Sequence, residues 1–213
     1  MRLGVYGGSF DPIHLGHLLL AESCREAAGL QEVWFVPAAQ SPHKQGRTTT
    51  AAHHRLEMVR LAIQGRQDFI VCSEEIDRGG ISYTVDTLEW IQARRPAAEL
   101  FLLLGADSLV DLPRWRSPQR ICELALPLVV DRPGSKSPDL EVLAPLVPAP
   151  RLQAARSSLV EMPQIGISSS VLRERVAQGR SIRYQTPEAV VDYIHSHGLY
   201  RRPTTPERRT SAG

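Results

Sequence analysis

Cysteine is scarce: Cys24, Cys72 and Cys122 are odd in number, scattered, and never spaced as Cys-x-x-Cys. That excludes a disulfide framework and suits a reducing compartment. No apolar run approaches the ~18 residues needed to span a bilayer, and the N-terminus has no succession of basic, apolar and small residues. The expected setting is therefore cytoplasmic, with no membrane partner. Charge of one sign is also nearly absent, since 25 Lys and Arg face 23 Asp and Glu for a net +2. Basic residues outside the C-terminal tail are not interleaved with aromatics, so no nucleic-acid partner is expected. Internal repeats are missing. So are the two common phosphate motifs, because no Gly-x4-Gly-Lys-Ser/Thr occurs and Gly4, Gly7 and Gly8 do not fit Gly-x-Gly-x-x-Gly.

What remains is an ordinary globular composition: 213 residues, 42% hydrophobic and 23% charged, enough for one core. Short runs rich in Val, Ile, Leu and Phe recur at 2–6, 33–36, 69–72, 100–104 and 126–130, each the length of a strand buried on both faces. Helical patterns lie between them at 17–28, 51–64, 84–95 and 117–125, several closed by Gly or Pro. Alternation of this kind predicts an α/β fold, a doubly wound parallel sheet with helices on both faces. Two C-terminal helices follow. One runs from Ser168 to Gln178; the other is opened by Thr186 as N-cap with Pro187 in the first turn and closed by Gly198. Five prolines within 133–157 predict a surface excursion with one short helix near 139–146. A single domain over 1–201 is expected, with 202–213 a flexible basic tail.

The densest local signal is Gly7-Gly8-Ser9-Phe10-Asp11-Pro12-Ile13-His14-Leu15-Gly16-His17, directly after the first strand. In an open α/β sheet the first strand-to-helix turn is the usual phosphate site. Gly7 and Gly8 let backbone N–H groups approach an anion, and the following helix directs its positive end there. His14 and His17 can each donate to a phosphate oxygen, more strongly as imidazolium. Either histidine alone would more often cap and pack the turn; the pair in this setting favours a ligand. Ligation of a metal by His14, His17 and Asp11 is less favoured, because no other spacing completes a metal set. A second signal, Gly166-Ile167-Ser168-Ser169-Ser170-Val171-Leu172-Arg173, places hydroxyls at a helix start and a fork-shaped cation one turn in.

The first stretch resembles the signature of the nucleotidyltransferase superfamily with the His-x-Gly-His motif, and the second resembles its Ile-Ser-Ser-Thr-x-Ile-Arg motif, with Ser170 and Leu172 as conservative departures. The resemblance implies a Rossmann-like sheet with ATP over its first turn. It also implies ATP contacts from Gly7, Gly8, Ser9, Phe10, His14, His17, Gly105, Asp107, Ile167, Ser168, Ser169 and Arg173. Val36-Pro37-Ala38, Ser41-Pro42-His43-Lys44, Ile81-Ser82-Tyr83-Thr84, Gly105-Ala106-Asp107-Ser108, Leu112-Pro113-Arg114-Trp115 and His197-Gly198-Leu199-Tyr200-Arg201 narrow the likeness to the bacterial nicotinate-nucleotide adenylyltransferases. In that family ATP and nicotinate mononucleotide give deamido-NAD and pyrophosphate, in NAD biosynthesis.

The implied reaction assigns polyphosphate contacts and catalysis to His14, His17, Lys44 and Arg173. The mononucleotide falls to Lys44, Tyr83, Thr84, Trp115 and Arg132, with Trp115 stacking on the pyridine ring and the helix start at Thr84 reading its carboxylate. Asp107 would face the ribose or cap a helix beginning at Ser108. Mg2+ is expected to arrive with ATP, since no carboxylate cluster demands a protein-held metal. A homo-oligomer remains compatible. The competing expectations are a nicotinamide-mononucleotide or pantetheine-phosphate adenylyltransferase, and a non-catalytic ATP-binding regulator.

Overall fold

A computed structural model describes residues 1–42, 49–131 and 137–201. Lys44, Arg132 and the tail 202–213 lie outside the described residues. Among the described residues six parallel strands form one sheet: β1 (Arg2–Gly8), β2 (Glu32–Pro37), β3 (Phe69–Val71), β4 (Glu99–Gly105), β5 (Ala125–Asp131) and β6 (Val160–Glu161). Their order is β3-β2-β1-β4-β5-β6, so the chain winds outward one way from β1 and then the other way from β4. That is the doubly wound, Rossmann-like arrangement.

Period-2 alternation sends successive strand residues to opposite faces. Val33 and Phe35 of β2, with Phe101 and Leu103 of β4, enter one core together with α1 (Leu15–Ala28), α2 (Ala52–Ala62), α8 (Ser169–Ala177) and α9 (Glu188–Ser196). Trp34, Val36, Leu100, Leu102 and Leu104 enter the other, covered by α4 (Thr84–Arg94), α5 (Ala106–Asp111), α6 (Pro118–Leu124) and α7 (Ala149–Ser157). A short α3 (Glu74–Arg78) precedes α4. No helix among the described residues is long and apolar enough to cross a membrane.

Three expectations are corrected. The excursion after β5 holds more order than its prolines suggest: a 3-10 turn at Leu140–Leu143, then α7, then β6. β6 has only two residues, too few for a periodic signal, and pairs Val130 with Val160. Thr186 does not cap α9, whose N-cap is Pro187; its buried hydroxyl instead donates to Ile13 O at 2.8 Å. Asp107 is not an N-cap either, because α5 starts two residues before Ser108 with Gly105 as cap.

The C-terminal quarter packs back on the β1–α1 loop. Arg173 Nη1 donates to Asp11 O (2.7 Å), Ser169 Oγ to Pro12 O (2.9 Å) and Thr186 Oγ1 to Ile13 O (2.8 Å), so three successive carbonyls are held from far along the chain. Tyr200 Oη donates to Asp11 Oδ1 at 2.7 Å, while Thr50 N donates to Oδ2 at 3.3 Å.

Asp11 is only 4% exposed. Tyr200→Phe therefore leaves a buried carboxylate one donor short and should lower unfolding free energy by roughly 1–3 kcal/mol in urea titrations. A loss below about 0.3 kcal/mol would show the tie to be dispensable.

A second expectation concerns α2 and α9, where His54 Nδ1 lies 2.9 Å from Tyr193 Oη, with the His53 and His197 rings at 4.1 and 5.3 Å. Burial first, then the neighbouring His53 and His197 charges, hold His54 below the ordinary histidine value of 6.5. Below that pH the unfolded chain takes up a proton that the folded chain resists, so this group's stabilising share is whole above 6.5 and is lost on acidification. Thermal melts at pH 7.5 and 5.5 should differ less for His54→Gln than for the parent; an equal or larger difference would refute the assignment.

Candidate active site

β1 pairs with β4 only as far as Val5↔Leu102, although β1 continues beside β2 to Gly8↔Pro37 and β4 beside β5 to Gly105↔Val130. The two central strands thus separate at their carboxyl ends. A crevice opens between Gly7–Gly8 and Gly105, at the topological switch point where such sheets take ligands. The two glycines differ in role. A Cβ on Gly8 would sit 3.0 Å from the Phe10 ring, whereas one on Gly7 would meet nothing within 4 Å. Gly7 keeps the crevice floor open; Gly8 accommodates packing. Across from them, Asp107 is exposed in the first turn of α5.

Past Gly8 the chain turns sharply at Phe10 (φ 46°), and the Asp11–Pro12 peptide is cis. The Phe10 ring is 2% exposed and meets Tyr6 and His17 edge-on at 5.4 and 5.2 Å. Its side chain belongs to the core and supports His17, so a ligand could reach only its backbone. His14 stacks on His17 with centroids 3.7 Å apart and planes at 23°. His14 N donates to His17 Nδ1 at 3.2 Å. With Nδ1 accepting, the ring proton of His17 belongs on Nε2, which is then a donor. Gly16, in the first turn of α1, leaves room for the His14 ring: a Cβ there would lie 3.1 Å from His14 Cε1 and Nδ1.

The second motif arrives at the same loop. Ile167 packs on the core formed with α1 and α8. Ser168 caps α8, its Oγ accepting from Val171 N at 3.3 Å. Ser169 and Arg173 bind loop carbonyls, as given above, and Arg173 Nη2 also donates to Ser170 Oγ at 3.3 Å. A guanidinium has five N–H donors, so these contacts hold Arg173 at the loop without exhausting it.

On the other side of the crevice Tyr83 is the N-cap of α4 and Thr84 its first residue. Tyr83 and Trp115 are both half-buried against the same core. The Arg116 guanidinium lies 4.7 Å over the Tyr83 ring and 3.2 Å from Asp86, joining the two segments. This half connects to the first by hydrogen bonds: Ala38 N to Gly8 O (2.9 Å), Ala39 N to Ser82 Oγ (2.9 Å) and Ser82 N to Gln40 O (2.9 Å).

Two residues of the site carried no readable role in the sequence. Ser82 stood inside a quoted motif without one; Arg55, on α2, gave no signal at all. The three thiols are buried, and burial pushes Cys24 to about 12 and Cys122 to about 11, which leaves neither as a nucleophile at neutral pH. Among the described residues no group of three or more His, Cys, Asp or Glu could hold a metal ion.

The cytidylyltransferase-like family model matches residues 5–175. A relative from Thermomicrobium roseum, named a probable nicotinate-nucleotide adenylyltransferase, is 50% identical over 94% of this chain and 92% of its own. One from Roseiflexus with the same name is 51% identical over 93% of this chain and 98% of its own. Among solved structures, the Plasmodium falciparum nicotinic acid mononucleotide adenylyltransferase complexed with NaAD shares the fold at TM-score 0.75, with 21% identity over 93% of this chain and 97% of that one. On these matches, and on a switch-point crevice carrying both motifs, the chain belongs to the cytidylyltransferase-like family and, within it, to the nicotinate-nucleotide adenylyltransferases.

Proposed function

We propose that this chain transfers the adenylyl group of ATP to nicotinate mononucleotide, giving deamido-NAD and pyrophosphate. The observation that carries the reading is the meeting of the two motifs, in which Ser169 Oγ reaches Pro12 O across 157 positions of sequence. That closure supports the reading by bringing the imidazoles and a hydroxyl-rich helix start to one loop.

In the reaction an oxygen of the mononucleotide phosphate forms a bond to the α-phosphorus of ATP. The bond from that phosphorus to the β-bridging oxygen breaks in line, and pyrophosphate leaves. No covalent enzyme intermediate is required. The protein aligns two anions that repel one another and neutralises charge growing on the α-phosphate and the leaving oxygen. His17 Nε2–H is a donor for that oxygen, and His14, stacked against it, fixes its plane. Gly7, Gly8, Ser9 and the Phe10 backbone line the triphosphate's path, with Ser168, Ser169 and Arg173 opposite. Asp107 faces the ribose beside Gly105, and Ile167 packs behind the hydroxyls. Lys44 joins the polyphosphate donors, and Arg132 the mononucleotide phosphate.

Trp115 gives the pyridine ring a flat partner, and the α4 start at Tyr83 and Thr84 favours the negative carboxylate of nicotinate over a neutral amide. Mg2+ enters as the MgATP substrate.

Pyrophosphate release with ATP and nicotinate mononucleotide is the deciding measurement, run beside nicotinamide mononucleotide. Turnover preferring nicotinate is expected; binding of ATP without turnover would instead make the chain a sensor. In the same assay His17→Ala should retain the fold and lose roughly 100-fold in kcat, the scale of one preorganised donor. Parent-like turnover in that variant would remove His17 from its role.

A further inference from the structure

Resting on that proposed reaction, we infer that Arg55 is a positioning residue which fixes the nucleotide loop and the mononucleotide side of the crevice in one mutual register. It stands on α2 and is 2% exposed, yet among the described residues it forms no ion pair within 4 Å of a carboxylate. Its three nitrogens go instead to three separate carbonyls: Nε to Thr50 O (2.9 Å), Nη1 to Ser9 O (2.9 Å) and Nη2 to Ala39 O (3.0 Å).

A buried charge is costly unless its hydrogen bonds are made, and burial draws the Arg55 guanidinium below its ordinary value, opposed by the negative potential of Asp11, Tyr200 and Glu75. An apolar side chain of similar length would fill the space without that cost. What it could not do is bind the β1–α1 loop and both ends of the β2–α2 connection at once.

The loops concerned are those of the crevice. Ser9 lies between Gly8 and Phe10 in the nucleotide loop. Ala39 donates to Ser82 Oγ, one residue before Tyr83 and Thr84. Thr50 donates to Asp11, whose own carbonyl holds Arg173. A shift of either half of the crevice therefore moves Arg55's contacts to the other half. Lysine, a compact point charge on a flexible stem, cannot reproduce a three-way planar fork.

In-line transfer needs the attacking oxygen within about 3–3.5 Å of phosphorus, and a 1 Å misplacement costs ~100-fold. Arg55→Lys should accordingly lower kcat about 30- to 100-fold, while dissociation constants for α,β-methylene-ATP alone and nicotinate mononucleotide alone stay within about threefold of the parent. A side chain that merely supports the fold would instead weaken both binary complexes, or reduce the fraction of active molecules with kcat per active site unchanged. Either result, or parent-like kcat, overturns the inference. Should Arg55→Lys fail to fold, Arg55→Gln decides: it keeps a planar amide that can reach at most two of the three carbonyls, and a drop of at least tenfold in kcat with unchanged binary binding is expected, parent-like kcat being the refuting outcome. An inactive parent protein would strike the proposed reaction itself, whereas an active parent with unaffected variants would strike only the role of Arg55.

Discussion

Three neighbouring carbonyls, those of Asp11, Pro12 and Ile13, are bound by side chains lying 157 to 173 positions away, and the crevice takes its shape from that closure. A strand-to-helix loop alone has backbone groups with no regular partners. Here they are fixed by Arg173, Ser169 and Thr186, and Tyr200 adds a bond to the Asp11 carboxylate. The histidine pair inherits its geometry from this loop, because His14 is both the N-cap of α1 and the donor that sets the His17 tautomer.

The sheet contributes differently. Its order places β1 and β4 side by side at the centre, and their early parting creates the ligand space without any special insertion. Open ground at Gly7, an exposed Asp107 and the start of α4 lie around that space because parallel strands all present their carboxyl ends to it. Both cores hold the sheet from behind, so the site is supported by apolar packing on each face.

Much of this was legible in the sequence. Apolar runs of strand length and helix patterns ending at Gly or Pro read correctly for five strands and the main helices, because buried parallel strands and amphipathic helices impose distinct periods. The two motifs that meet at the β1–α1 loop were legible through residue type and spacing. What escaped depended on contacts rather than period. β6 is two residues long, and α7 is hidden among prolines. Thr186 sat in a plausible capping frame but found a buried carbonyl, an outcome that no local rule contains. Arg55 carries no local signal, and only the folded chain reveals that its partners are carbonyls of two separate loops. The hydrogen bond from His14 N to His17 Nδ1 was equally invisible, since it follows from where one backbone N–H points.

The long reach of the loop's partners also orders events in time. During synthesis the segment from Gly7 to His17 emerges early, while Ser169, Thr186 and Tyr200 follow some 150 to 190 residues later; at ~5–20 residues per second that delay is on the order of ten seconds or more. For that interval the front of a nascent chain possesses its histidines but not the braces that arrange them. The loop thus takes its shape only after the segment holding Ser169, Thr186 and Tyr200 has been made.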